Sequence, residues 1–184
     1  MREKSDMAKY SLIIGIPAMI LLVVGTIVES GSLLQRLLFV IGAPVLGLAA
    51  RLNRQKMFLI LQIIATIGAI FAFLSNLHTF SRYAIMVGSG ILGVGYLIKT
   101  NYFKEDAWWP LGGLGLLSIA IGFATDATAY PILFNSLIGA GGVLVALYSA
   151  IGFFHLKVKI ASIWLVLNII FSINPLITVF SQIL

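Results

Sequence analysis

The chain has 184 residues, of which 60% are hydrophobic and only 10% are charged, and its mean hydropathy is +1.09. A soluble domain is about half apolar and a quarter charged, so this composition excludes a water-soluble globular domain and predicts an integral membrane protein. The absence of cysteine excludes disulfides and Cys-ligated metals. The net charge of +6 comes from scattered basic residues that form no stripe, so no nucleic-acid partner is predicted.

Seven segments are apolar over roughly the 20 residues that a helix needs to cross the bilayer core. Their positions are 11–28, 33–50, 57–75, 82–98, 109–125, 131–153 and 160–182. The connections between them are short, so we predict one all-α membrane domain, residues 1–184, with seven transmembrane helices. The first segment lacks a small-residue cleavage site and is interpreted as a retained helix.

The basic residues predict how the segments are oriented. Ten of the twelve Lys and Arg residues lie in the N-terminal tail or in alternate loops, and the opposite loops hold only Arg36 and Arg82. Cytoplasmic loops of membrane proteins carry the excess of positive charge. The N-terminus is therefore predicted to be cytoplasmic and the C-terminus to lie outside.

A motif of small residues recurs in the second, fourth and sixth segments. When Gly42, Gly88 and Gly139 are aligned, the residue after each glycine is small. The residue seven positions after each glycine is also small. The preceding segments align as well, which gives three helical hairpins and a half repeat. These repeats are 11–50, 57–98, 109–153 and 160–182.

Positions seven residues apart share one helix face. Small residues let membrane helices approach each other closely, so we predict that this face is a packing seam and that the even-numbered segments form the inner layer. The seam consists of Gly42, Gly88, Gly95, Gly139 and Ala146.

The stretch AWWPLGGLGLLSIAIGFATDATAYPILFNSLIGAGGVLVALYSAIGFF, residues 107–154, enters a glycine-marked hairpin through aromatic residues and proline. In this it resembles the HdeD-like family of small bacterial inner-membrane proteins, which is associated with acid resistance. The resemblance implies a bacterial-type inner membrane and offers no catalytic residues. The family usually has six helices, so the seventh segment departs from it.

A second resemblance is to transporters with a 3+1+3 plan of helices. The first three and the last three segments match at a spacing of 97 residues, which is similar to the plan of the SWEET sugar and PnuC vitamin transporters. Trp164 and Asn168 in WLVLN resemble a Trp–Asn pair in PnuC proteins. The fourth segment matches the second and sixth, and this favours the hairpin repeat over an unmatched linker helix.

Few residues suggest chemistry. The acidic side chains lie away from the middle of the spans and form no His, Cys, Asp and Glu cluster, so no metal site, cofactor or catalytic group is predicted, and the chain is not expected to be an enzyme. Glu29 and Asp126 occupy equivalent positions at the outer helix ends. They either solvate those ends or attract cations at a common mouth.

Three amides lie at depth within the apolar segments: Gln62, Asn168 and Asn174. A buried amide needs a hydrogen-bond partner or a water-filled cavity, so these residues indicate either interhelical bonds or a solute path, which Glu29 and Asp126 would extend. Pro175 follows Asn174 and predicts a bent or broken seventh helix, with Asn174 bonded to a neighbouring helix.

Three function classes remain, of which a membrane enzyme is disfavoured and two others are favoured. The first is a non-catalytic facilitator or channel for a small neutral solute, since no charge lies at mid-membrane. The second is a structural, assembly or stress-related membrane protein that binds lipids and either a second copy or another membrane protein. A polar cavity through Asn168 favours the first, and a lipid-exposed small-residue seam favours the second.

Overall fold

The computed structural model describes residues 2–29, 32–74 and 78–183, which are helical apart from the turns and contain no strand. The helices are α1 (Arg2–Ile27), α2 (Leu33–Leu52), α3 (Lys56–Phe71), α4 (Thr79–Lys99), the short α5 (Tyr102–Glu105), α6 (Trp109–Ala124), α7 (Pro131–Ala150) and α8 (Ala161–Ile183). A π-helical turn, Ile151–His155, extends α7. The all-α helical bundle predicted from the sequence is thus confirmed.

Five of these helices are long and apolar enough to cross a membrane: α1, α2, α4, α7 and α8. Apart from the four-residue α5, the remaining two, α3 and α6, are apolar but contain only 16 residues each. A helix of that length spans roughly 24 Å, which is less than the ~30 Å hydrocarbon core. The chain is a helical membrane protein. A crossing by all seven of these helices, the five long ones and α3 and α6, stays a prediction.

Local sequence explains where several helices begin. The Ser32 hydroxyl accepts the backbone N–H of Gln35 at 3.2 Å and caps α2. The Gln35 amide donates to the carbonyl of Gly25 at 3.0 Å, which fastens the turn between α1 and α2. Proline is tolerated in the first turn of a helix because its missing N–H has no partner there. Pro110 and Pro131 occupy such positions in α6 and α7.

The helices pack as two groups of three. In the first group α1 packs on α2 and α2 on α3, and in the second α6 packs on α7 and α7 on α8. The groups meet where α1 contacts α8 and α3 contacts α6. Helix α4 packs mainly on α6 and only lightly on α3. The described residues therefore do not show the close pairing of α3 with α4 that a hairpin repeat predicts.

The predicted inner position of the fourth segment is wrong. Large apolar side chains cover one side of α4 and are exposed, among them Ile91, Leu92 and Tyr96. An added Cβ at Gly88 or at Gly95 has no described atom within 4 Å. Small residues alone cannot tell a face that meets another helix from a face that meets lipid, and here they lie on the outward face.

Glycines elsewhere lie at helix contacts. An added Cβ at Gly42 or at Gly139 would come within 2.9 Å of a leucine on the neighbouring helix, and Ala146 is buried. On α4 the contact positions are Gly90, against α6, and Gly93, against α3. Each of these two lies two residues from a predicted seam glycine, Gly88 or Gly95. Since each residue advances the helix by roughly 100°, the shift is about half a turn.

The backbones of α6 and α7 approach each other closely. An added Cβ on Gly115 would lie 2.9 Å from the carbonyl oxygen of Gly141, and one on Gly141 would lie 2.9 Å from that of Gly115. Glycine at both positions lets the two backbones touch, which is how membrane helices gain contact without a hydrophobic driving force.

Candidate functional site

A half-open cavity of about 660 Å³ lies between the two groups of helices, towards the predicted outer side. Its volume is within the range of ordinary small-molecule sites. Aromatic side chains form much of its apolar wall, and Phe123 and Phe171 contact each other there at 6.4 Å between ring centroids. The polar side chains that line it are Thr26, Gln35, Arg36, Gln62, Arg82, Thr125, Asn135, Asn168, Asn174 and Thr178.

The deep end of the cavity holds Gln62 on α3 and Asn168 on α8. Both are buried, with 3% and 4% of their surface exposed. The Asn168 Nδ2 donates to the carbonyl of Trp164 at 2.8 Å, within its own helix. The Gln62 Oε1 has no hydrogen-bond partner. A buried acceptor without a partner costs about 1–3 kcal/mol, so this end of the cavity is suited to a solute or water that donates a hydrogen bond.

The cavity mouth lies where α2 and α4 begin. Arg36 is in the first turn of α2 and Arg82 in the first turn of α4. Both are half-buried and line the cavity. In the sequence these two arginines indicate only the topology, and no pattern assigns them to a site.

A pair of stacked aromatic rings lies beyond the deep end of the cavity. Phe58 and Trp164 lie one helical turn beyond Gln62 and Asn168, and their rings stack at 4.3 Å between centroids with an interplanar angle of 13°. Both side chains are fully or almost fully buried. This pair, the Phe58–Trp164 layer, joins α3 of the first group to α8 of the second.

A second pocket of about 260 Å³ lies on the other side of this layer, towards the predicted cytoplasm. It is lined by Phe58 itself and by a chain of three hydrogen-bonded side chains. The Tyr148 hydroxyl donates to Asp106 Oδ2 at 2.5 Å and lies 3.0 Å from the Tyr102 hydroxyl. Since Tyr148 has one proton and gives it to Asp106, Tyr102 is the donor to Tyr148.

The Asp106 carboxylate is held in place at both oxygens. Its Oδ1 accepts the backbone N–H of Trp108 at 2.9 Å, while Oδ2 accepts from Tyr148. Burial raises the pKa of Tyr102 to about 12, and the nearby carboxylates of Asp106 and Glu105 act in the same direction. At neutral pH the Tyr102 hydroxyl therefore remains protonated and keeps its place as a donor.

The three amides predicted to form a solute path, Gln62, Asn168 and Asn174, all line the cavity. Helix α8 continues through Pro175 to Ile183, so it is not broken there, and the predicted bend stays a prediction. Among the described residues the Asn174 side chain makes no hydrogen bond to a neighbouring helix, and its backbone carbonyl accepts from Thr178 at 2.9 Å. Membrane helices tolerate proline where neighbouring groups stabilise the helix, and the next residue, Leu176, packs against Gly139.

Glu29 and Asp126 do not line the cavity. Glu29 is exposed at the end of α1. The Asp126 Oδ1 accepts the Thr128 hydroxyl at 2.6 Å and the backbone N–H groups of Thr128 and Ala129, all within its own loop. These bonds, that of the Thr128 hydroxyl first, lower the pKa of Asp126, and the charge of Arg82 adds to the effect.

Comparison with known proteins finds no matching family model, no similar curated protein and no similar solved structure.

Proposed function

We propose that this chain is a non-catalytic membrane protein that binds a small solute in the cavity and facilitates its passage past the Phe58–Trp164 layer. One observation carries the proposal. The buried amides of the cavity lie one helical turn from the Phe58–Trp164 layer, and Phe58 also lines the second, partly polar pocket. A facilitator needs a cavity on each side of the membrane and a thin barrier between the two cavities.

The proposal includes a location. It places the chain in a bacterial-type inner membrane with seven crossings, the N-terminus in the cytoplasm and the C-terminus outside. The ten-to-two distribution of basic residues supports this orientation. The deep end carries amides and no formal charge, which supports a solute that is uncharged where it meets Gln62 and Asn168.

The absence of cysteine from the sequence allows a direct test. Single variants Gln62→Cys and Ile64→Cys place a thiol on the same helix, in the cavity wall and in the packed core respectively. In proteoliposomes, a membrane-impermeant thiosulfonate added on the predicted outer side should modify Gln62→Cys at least tenfold faster than Ile64→Cys. Equal rates for the two thiols would show that the cavity is closed to water.

A second arm tests the barrier. In the Gln62→Cys background, Phe58→Ala removes one ring of the layer, so reagent confined to the predicted cytoplasmic side should now reach the thiol. Size-exclusion chromatography and thermal unfolding in detergent check that this variant still folds, since truncating a buried phenylalanine costs about 3–5 kcal/mol. A folded variant whose thiol stays protected from that side contradicts a path through the layer.

A second candidate function rests on α4. Its outward face combines Gly88 and Gly95 with exposed large apolar side chains, and no described residue packs on it. We propose as the alternative that this face binds a second copy or another membrane protein, in a structural or stress-related role like the one that the resemblance to the HdeD-like family implies. Crosslinking of a Gly95→Cys variant in native membranes tests it, and a product of monomer mass only would exclude self-association through α4.

A further inference from the structure

We infer that the solute has an anionic group, which Arg36 and Arg82 bind at the mouth, and an uncharged hydrogen-bond donor, which Gln62 binds at the deep end. This inference rests on the proposed function and narrows it to one class of solute. It differs from the wholly neutral solute predicted from the sequence, because the two arginines line the same cavity as the amides.

Two arginine side chains bring positive charge to the mouth. Arg36 and Arg82 are each the fourth residue of a helix, so they lie beside the positive ends of the α2 and α4 dipoles. A cation is unfavourable at that position, and an anion bound between the two would offset both the side-chain and the dipole charges. Among the residues that the structure describes, neither guanidinium forms an ion pair or a side-chain hydrogen bond.

The carboxylates on the same side do not neutralise this mouth. The loop that contains Asp126 already supplies the hydrogen bonds to its Oδ1, and although Arg82 is near enough to act on this carboxylate, Asp126 is not part of the cavity wall. Glu29 is also outside the wall. The wall therefore carries two positive charges and no negative one in its described part.

The independent observation is the partnerless Oε1 of Gln62, a residue that is 3% exposed and lines the same cavity. An acceptor in that position requires a donor such as a hydroxyl or an amide. Between the two ends, phenylalanines of α2, α6, α7 and α8 line the wall. Asn168 and Thr178 mark its extent along α8, ten residues or about 15 Å apart. The solute is thus an anion with an apolar body and a polar far end.

The test uses a thiol with no polar role. Ala65→Cys lies in the cavity wall on α3. The rate at which this thiol is modified is measured with an anionic and with a cationic thiosulfonate, and each rate is divided by that reagent's rate with free cysteine. The ratio of the two normalised rates is the charge selectivity of the cavity. We expect the anionic reagent to be favoured on the order of tenfold, the low end for electrostatic focusing in a cleft. The double variant Arg36→Gln, Arg82→Gln should abolish this preference.

The matched control is Arg51→Gln, the same substitution at the other end of α2, where the side chain is exposed and lines neither pocket. It should leave the selectivity unchanged. Equal normalised rates for the two reagents would overturn the inference, and so would equal effects of Arg51→Gln and the double variant on the selectivity. Neither result would contradict the proposed path. A thiol at position 65 that reacts with neither reagent removes the proposed function and the inference together.

Protection by a probe tests both ends of the site. In phosphatidylcholine liposomes, 10-hydroxydecanoate should protect Ala65→Cys better than its methyl ester or decanoate does, and Gln62→Leu should remove its advantage over decanoate. No protection by 10-hydroxydecanoate would overturn the inference. Protection by phosphatidylglycerol in the liposomes, without added probe, would identify the anion as a lipid headgroup, whereas protection by 10-hydroxydecanoate alone would identify a water-soluble anion.

Discussion

Substituting alanine for Gly115 should loosen the contact between α6 and α7. The new Cβ would lie 2.8 Å from a Val145 methyl group, 2.9 Å from the Gly141 carbonyl oxygen and 3.0 Å from the Val145 backbone nitrogen. Two of these atoms belong to the backbone and cannot rotate away, so the helices must separate. Overpacking of this kind costs about 1–3 kcal/mol, and the backbone contacts place Gly115→Ala towards the upper end.

Gly95→Ala on α4 is the matched control. Alanine is favoured over glycine within a helix by about 1 kcal/mol, and an added Cβ at Gly95 meets no described atom within 4 Å. Gly95→Ala should therefore stabilise the protein by up to about 1 kcal/mol. In Gly115→Ala the same gain in helix propensity only partly offsets the cost of the clash. The difference between the two variants isolates the clash and should be about 1–3 kcal/mol.

The assay is equilibrium unfolding by sodium dodecyl sulfate in mixed micelles, followed by tryptophan fluorescence. Gly141→Ala should behave like Gly115→Ala, because an added Cβ there lies 2.9 Å from the Gly115 carbonyl oxygen. The double variant should cost less than the sum, since the first methyl group already separates the helices. Equal free energies of unfolding for Gly115→Ala and Gly95→Ala would refute the close crossing.

Three further predictions concern charge. Reporter fusions after Lys9 and after Leu184 should lie on opposite sides of the membrane, and reporters on the same side would require an even number of crossings. Burial raises the pKa of Tyr102 from 10.0 to about 12, so the stability that its neutral form provides is complete below pH 10 and is lost as the pH rises through 12. Unfolding midpoints of wild type should therefore fall more steeply over that interval than those of Tyr102→Phe, and parallel curves would contradict the assignment. Thr128→Ala should raise the pKa of Asp126 towards its ordinary value, and an unchanged carboxylate titration by NMR would show that the Thr128 hydroxyl does not bind it.

The sequence predicts the helices well because each is encoded locally. The second segment, predicted at 33–50, is observed at Leu33–Leu52, and the sixth begins at Pro131 as expected. Gln62 and Asn168 could also be selected from the sequence, because an amide within an apolar segment is costly unless something bonds to it.

The remaining features depend on which helices meet, and this is not encoded locally. Gly88 and Gly90 are two residues apart and equally small, yet only Gly90 has another helix within contact distance of an added Cβ. Asp106 and Tyr148 are 42 positions apart, and no spacing rule links a loop carboxylate to a tyrosine in an apolar helix. The aromatic character of Tyr148 within a small-residue segment was the one available signal.

If solute follows the proposed path, the Phe58–Trp164 layer also determines its response to voltage. A membrane potential falls mainly across the part of a path that excludes water and has a low dielectric constant. On the proposed path that part is the stretch at the stacked Phe58 and Trp164 rings, which is shorter than the ~30 Å hydrocarbon core. A charged group moving past these two rings on that path would cross most of the electric field, which is worth about 2.3 kcal/mol per elementary charge for each 100 mV. A displacement of a few ångströms at this layer would then couple the flux of the proposed anionic solute to the membrane potential.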